Sequence, residues 1–209
     1  MSRFFITKQN SVLLFLCLIF SGCSYPPYQY SFSLIDPYNE TRQNDVVGQA
    51  MSFEDSDVEF RFVPSPENIH MAIKNKTDHE IYLVRDNAEY IDYYGESHRI
   101  HYGYDYVQEA KNFAVTNGLF APSLRIDPDS EITGYVWINI WPAFSIGDDR
   151  TSFSDTQVNY LMEPFFPRYS FEGSVNDLKY STFNLMLPIE FDGYMRNYTF
   201  TFMIEDVIE

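Results

Sequence analysis

Four histidines, two cysteines and 30 acidic residues set the chemistry open to this chain. The histidines are His70, His79, His98 and His101. His98 and His101 stand three apart, which on a strand puts them on opposite faces, and the chain has no His-Glu-x-x-His run for zinc. Gly95-Glu96-Ser97-His98 sets a serine beside a histidine, but adjacency in sequence does not make a nucleophile and its base. There is no Gly-x-Ser-x-Gly elbow and no glycine-rich phosphate loop. Two acidic runs, Glu54-Asp55-Ser56-Asp57 and Asp127-Pro128-Asp129-Ser130-Glu131, carry the oxygen donors that calcium takes. Neither has the EF-hand spacing, and each would need ligands from elsewhere. Asn75-Lys76-Thr77 and Asn197-Tyr198-Thr199 match the glycosylation sequon. These patterns suit hydrogen-bonded or solvated side chains, so the reading expects no enzyme, no cofactor and no metal.

The cysteines carry a clearer signal. Arg3 and Lys8 precede an apolar stretch at residues 12–20, which holds Cys17, and the small residues Ser21 and Gly22 lead into Cys23. A positive start, a short greasy core and a small-residue cleavage site make a secretory signal peptide. The core is well short of the roughly twenty residues that a membrane-spanning helix needs. Phe20-Ser21-Gly22-Cys23 resembles the lipobox of bacterial lipoproteins, with phenylalanine where leucine is usual. The resemblance implies cleavage before Cys23 and acylation of its thiol and new amino group. One acyl chain binds a bilayer only reversibly, at about 0.8 kcal/mol per buried methylene, and two or three hold firmly. Ser24 in place of aspartate implies, by analogy with enterobacterial lipoproteins, sorting to the outer membrane. The alternative is ordinary secretion, with Cys23 left as a free thiol. That thiol would be a liability in an oxidising compartment, because the mature chain has no second cysteine to pair with it.

The expected organisation is a signal peptide at 1–22, a lipidated amino terminus and tether at 23–45, and one domain at 46–209. Pro26-Pro27 favours an extended start to the tether. The Tyr and Phe residues near it are unusual for a free linker and are expected to pack on the domain or to sit among lipid headgroups. Losing residues 1–22 from 209 leaves 187, enough for a sizeable core. It also removes two cations and no acid, taking the formal charge from −16 to −18. A chain this acidic is repelled by nucleic acid, and its partners are expected to be the membrane, through Cys23, and an envelope protein.

The elements that would position any site read as strands. Val58, Phe60 and Phe62 alternate with Asp57, Glu59 and Arg61. Ile69, Met71 and Ile73 alternate with His70, Ala72 and Lys74, and residues 75–78 have turn chemistry that predicts a hairpin returning through residues 81–84. Residues 90–91 and 99–102 flank a second turn. Asp105 predicts the start of a short helix that ends near Asn117-Gly118. Residues 131–141 predict a strand with Ile132, Val136, Ile138 and Ile140 on one face. Its other face carries Thr133, Tyr135, Trp137, Asn139 and Trp141. Residues 142–176 show no clear period. Residues 178–186 and 194–204 predict a closing pair linked through Asp192-Gly193, a strong hairpin dipeptide.

Seven to nine short strands with little helix predict an all-β fold, a single β-sandwich, with an up-and-down barrel as the alternative. Residues 69–103 (Ile-x-Met-x-Ile-x-Asn-x-Thr, Ile-x-Leu, then Asp92-x-x-Gly95-x-Ser97-x-Arg-Ile) resemble the early strands of uncharacterised bacterial lipoproteins with an immunoglobulin-like sandwich. Leu185-x-Leu-Pro-Ile-x-Phe-x-Gly193, leading into Tyr198-x-Phe-x-Phe202, resembles their closing strands. The resemblance covers about a third of the chain and implies an immunoglobulin-like fold and an envelope location, with no catalytic residues. The functional expectation is a lipid-anchored, non-enzymatic binding or structural module. Tyr135, Trp137 and Trp141 form its candidate contact row, because aromatics are enriched at binding hot spots; the alternative places them in a second buried layer. The rival class is an envelope hydrolase acting on glycan, with paired carboxylates and stacking aromatics.

Overall fold

Aromatic and branched residues at period two give this chain its strands, and one core of their inward faces gives it its shape. The structure is a computed structural model and describes residues 27–37, 50–105, 108–109, 122–139, 162–168 and 174–208. The strands are β1 (Gln29–Asp36), β2 (Met51–Glu54), β3 (Val58–Pro64), β4 (Ile69–Asn75), β5 (Ile81–Leu83) and β6 (Glu89–Ile91). They continue as β7 (Ser97–Gly103), β8 (Leu124–Ile126), β9 (Glu131–Asn139), β10 (Met162–Glu163), β11 (Thr182–Phe191) and β12 (Tyr194–Ile208). Every ladder is antiparallel, and the main path runs β1-β12-β11-β6-β7-β9-β4-β3-β2. The sheet folds over on itself and nearly closes, so that its two halves face each other as a sandwich. The crossing is made within β7: residues 97–99 pair with β6 in one half, and residues 100–103 pair with β9 in the other. A strand that changes partners in this way is how a sandwich turns a corner.

The core is largely aromatic. Val58, Phe60 and Phe62 of β3 and Phe200, Phe202 and Ile204 of β12 are all fully buried, as the alternation predicts. They meet across the sandwich, with Phe62 4.7 Å from Phe200 and 5.3 Å from Phe202 between ring centroids, and Phe60 5.0 Å from Tyr198. Offset and edge-on pairs such as these add about 0.5–1.5 kcal/mol each beyond the area they bury. The β11–β12 hairpin turns through Asp192 and Gly193, both at positive φ (27° and 87°), as a two-residue turn that follows the strand twist requires. Pro188 sits within β11 without breaking it. β6 pairs with residues 184–186 and β5 with residues 189–191, so the missing proline N–H falls in the gap between the two partner strands.

Three expectations are corrected. Residues 69–75 and 81–84 do not form a hairpin: β4 pairs with β3 and β9, whereas β5 crosses to the other half and pairs with β11 and β8. Asn75 directs the crossing. Its side chain is fully buried, with Nδ2 donating to the carbonyls of His79 (2.7 Å), Ile126 (3.1 Å) and Asp127 (3.1 Å) while Oδ1 accepts from the backbone and hydroxyl of Thr77. Next, residues 29–36, expected within the tether, are a strand of the sheet paired along β12. Phe32 is buried against Phe166 and Phe183, which fulfils the expectation that the aromatics there pack on the domain. Finally, the strands number more than nine, because β2, β8 and β10 are too short to show a period, and because β1, whose Tyr30, Phe32 and Leu34 alternate with Ser31 and Ser33, lies within the expected tether. At residue 105 the expected helix start is present in its first bonds, Glu109 N–H to the Asp105 carbonyl and Gln108 N–H to its Oδ1. Residues 110–121 lie outside the described part.

Candidate functional site

The β6–β7 hairpin gathers the one group of potential metal-ligating side chains among the described residues: Asp92, Glu96 and His98, with ligand atoms all within 4.8 Å of one another. The turn explains the gathering. Asp92 Oδ1 accepts the backbone N–H groups of Tyr94 and Glu96, and Gly95 takes the positive φ (86°) the turn needs. Asp92 Oδ2 meets His98 Nε2 at 3.0 Å. Burial alone would raise the Asp92 carboxyl, but the bonds from His98 and the two amides override it and hold the group below the usual carboxylate range. Tyr90 lies directly opposite His98 in the ladder, with its ring 5.9 Å from the imidazole. Its hydroxyl is buried without a hydrogen-bond partner. Ser97 and His98 are successive strand residues and point to opposite faces. The arrangement is that of a hairpin locked by an Asp–His bond. No ion is present in it, and the acid oxygen nearest the imidazole is already engaged.

A second cluster joins the two halves at the far end of the sandwich. Arg196 Nη1 bonds Asp55 Oδ2 (3.1 Å), Asp57 Oδ2 (2.8 Å) and Tyr198 Oη (2.8 Å), and Tyr198 donates to Asp55 (2.9 Å). The guanidinium also lies over the rings of Phe191, Tyr194 and Tyr198, at 4.9, 5.9 and 5.7 Å. Lys76 binds Glu54 (2.5 Å). The run 54–57, considered for calcium, is therefore bound to the protein's own cations. The run 127–131 is similarly engaged, with Asp127 on Arg125 (2.7 Å) and Glu131 on Arg61. A third cluster centres on Arg85, which is 7% exposed and donates to the carbonyls of Pro122 (2.9 Å) and Tyr102 (3.0 Å) and to Glu109 (3.2 Å).

The expected contact row on β9 is not an exposed row. Tyr135 is 38% exposed and packs on His70 at 5.1 Å, but Trp137 is 3% exposed. Trp137 pairs in register with His101, which is itself 8% exposed, on the side of the sheet away from the main core. That side is therefore covered at Trp137, in line with the alternative reading of a second buried layer. Trp141 and Cys23 lie outside the described residues, as do residues 1–22, expected to be a signal peptide. Of the sequons, Asn75 is fully buried and bonded on both ends of its amide, which leaves no room for a glycan, and Asn197 is exposed. Arg196 and Arg85 carried no sequence signal, because their partners lie 141 and 24 residues away. The Asp92 cluster did leave one, the Asp-x-x-Gly turn, whose chemistry brings residue 98 back over residue 92. Comparison with protein-family models, with curated proteins and with solved structures finds no match to this chain.

Proposed function

We propose that this chain is a lipid-anchored protein of the bacterial cell envelope, acylated on Cys23, sorted to the outer membrane, and acting as a non-enzymatic binding or structural module. The observation that carries the reading is the leader and its small-residue approach to Cys23, followed within a few residues by a strand integral to the domain. Such a domain is held close to a membrane by its own fold. The acid groups weighed for chemistry support a structural use, since Asp55, Asp57, Asp127 and Glu131 each meet an arginine. A glycan hydrolase needs two carboxylates about 5–10 Å apart and free to act on a substrate, and those bound to arginine are poor candidates. An immunoglobulin-like type for the sandwich rests on the resemblance of residues 69–103 and 185–202. The excess of acid turns the module away from nucleic acid, and the envelope protein partner follows from the proposed anchor and not from charge.

The test is the mass of the amino-terminal peptide from purified bacterial membranes, followed by crosslinking in intact cells. A diacyl or triacyl adduct on Cys23 and a crosslinked envelope protein are expected. Cleavage elsewhere or an unmodified cysteine would remove the anchor, and a monomer with no crosslinked partner would remove the binding module.

A further inference from the structure

The position of β1 fixes which end of the sandwich a lipid on Cys23 would hold to the bilayer. From Cys23 to Gln29 the chain can span at most about 20 Å even when fully extended, at 3.3–3.6 Å per residue. Gln29 opens β1 opposite Ile208, the last residue of β12. The strand directions then say what else lies at that end. β6 runs antiparallel to β11 with Ile91 opposite Asn184, so the tip of the β6–β7 hairpin points the same way as the start of β11 and the finish of β12. Contacts agree with the ladders. Tyr28 N–H bonds the Arg168 carbonyl, Tyr30 donates to the Pro167 carbonyl at 2.6 Å, and Phe166 packs on both Tyr30 (5.5 Å) and Tyr93 (6.0 Å).

That end presents tyrosine to solvent. Tyr94 at the hairpin tip is 69% exposed and Tyr180 is 67% exposed, with Ile208 beside the first strand at 57%. Tyr28, Tyr30 and Tyr93 are half-buried among them. Tyrosine, with an apolar ring and a polar tip, is a side chain enriched at the boundary between headgroups and hydrocarbon. Lys179 and Arg168 stand at the same end, paired with Asp206 and Glu67. The opposite end also exposes Tyr194 and Tyr104, but the Tyr194 ring stacks on Phe191 and covers Arg196, and the Tyr104 hydroxyl is bonded to Thr133 on β9 at 3.0 Å, so both serve contacts within the domain.

We propose that this tyrosine-bearing end, with Tyr94 and Tyr180 outermost, rests in the headgroup layer of the bilayer that holds the lipidated Cys23. The proposal rests on the anchor proposed above. It gives the domain a fixed pose, with the β6–β7 tip down and the β11–β12 turn and its Arg196 latch directed away from the membrane. The occupant is a lipid surface and not a second protein, because a chain of six residues brings the bilayer to this end whatever else is present. The contact is made by aromatic rings and not by net charge, since a chain of −16 before cleavage has no electrostatic attraction to anionic lipid.

The experiment uses the full chain, matured in a bacterial envelope and reconstituted in phosphatidylethanolamine–phosphatidylglycerol vesicles. A nitroxide is placed by Tyr94→Cys, and separately by Tyr194→Cys, and its accessibility to oxygen and to a water-soluble nickel complex is measured. The amino-terminal peptide is weighed in the same sample. The expected result is an acylated Cys23 with the label at 94 several-fold more oxygen-accessible, relative to nickel, than the label at 194. An acylated Cys23 with both labels equally water-accessible overturns the pose while leaving the anchor. A non-acylated Cys23 overturns the anchor and the pose with it. Should Tyr94→Cys fold poorly, Ser97→Cys on the same exposed tip takes its place with the same expected ranking.

Discussion

Tyr90 sets the problem at the scale of single residues. It is fully buried, its ring packs edge-on to Phe165 at 4.6 Å, and its hydroxyl has no hydrogen-bond partner. Burial, and then the neighbouring Asp92 carboxylate, push that phenol well above its ordinary range, so it stays neutral at any pH where the fold survives. An orphaned buried polar group costs about 1–3 kcal/mol. Tyr90→Phe is therefore expected to leave stability unchanged or raise it by about 1 kcal/mol, read as the urea midpoint. A loss of more than that would mean that the hydroxyl has a partner. Asp92 and Asp55 behave in the opposite way. Burial would raise Asp55, but the backbone bonds from Val58 and Asp57, then Tyr198 and Arg196, bring it below the usual range. Both groups are depressed in the folded state, so their contribution is present above an unfolded value of about 3.9. It is lost as pH falls through the folded values. Stability is expected to drop below about pH 4, and Asp92→Asn and Asp55→Asn should each flatten that slope. An unchanged slope in both would sink the account.

At the scale of elements, the decisive point is the segment between β4 and β5. Its turn chemistry at residues 75–78 is real, with Oδ1 of Asn75 accepting from Thr77, yet it makes a crossing and not a hairpin. A hairpin needs only a compatible turn. A crossing needs the loop's carbonyls satisfied away from any ladder, and the Asn75 amide does that for His79 while also bonding the carbonyls of Ile126 and Asp127 at the end of β8. Asn75→Ala is expected to cost about 2–4 kcal/mol by leaving several of these groups unpaired. The check is the urea midpoint. A loss below 1 kcal/mol would show that water replaces the amide freely. Gly134 carries a related constraint, for a Cβ there would lie 2.8 Å from the Gly103 carbonyl oxygen, so β7 and β9 approach this closely because position 134 lacks a side chain. Alternation showed β3, β4, β9, β11 and β12 plainly, since each turns a row of apolar side chains into the core. It did not show β2, β8 or β10, which are two to four residues long, and the alternation of β1 at residues 30–34 is overshadowed by the Pro26-Pro27 start and the polar run after it.

For the whole molecule, closure of the sheet is held at one end by Arg196. It joins β12 to the acids between β2 and β3 and is stacked among three aromatic rings. The pair is partly exposed, so solvent screening keeps its worth modest. Arg196→Ala is expected to lower stability by about 1–2 kcal/mol through lost stacking and pairing together. A double-mutant cycle with Asp57→Asn should give a coupling above about 0.5 kcal/mol, and additive effects would show that the two halves close without the latch. Little of this site was legible in sequence. Arg196 follows Tyr194 and Met195 as an unremarkable strand cation, and only the meeting of two turns 141 residues apart gives it a role.

The sequence by itself determined the strand content and the inward face of each long strand, because a period of two leaves apolar side chains no other place to go. It also carries the pattern at residues 3–23 on which the proposed leader and anchor rest, a local pattern that owes nothing to the fold. Tertiary structure decided the rest. It made part of the expected tether a strand, because the open edge of β12 could be paired there. It sent β5 to the other half of the sandwich, buried Trp137 where a contact row was expected, and joined His98 to Asp92. Each of these depends on which distant edges and faces meet, and a local pattern holds no record of that.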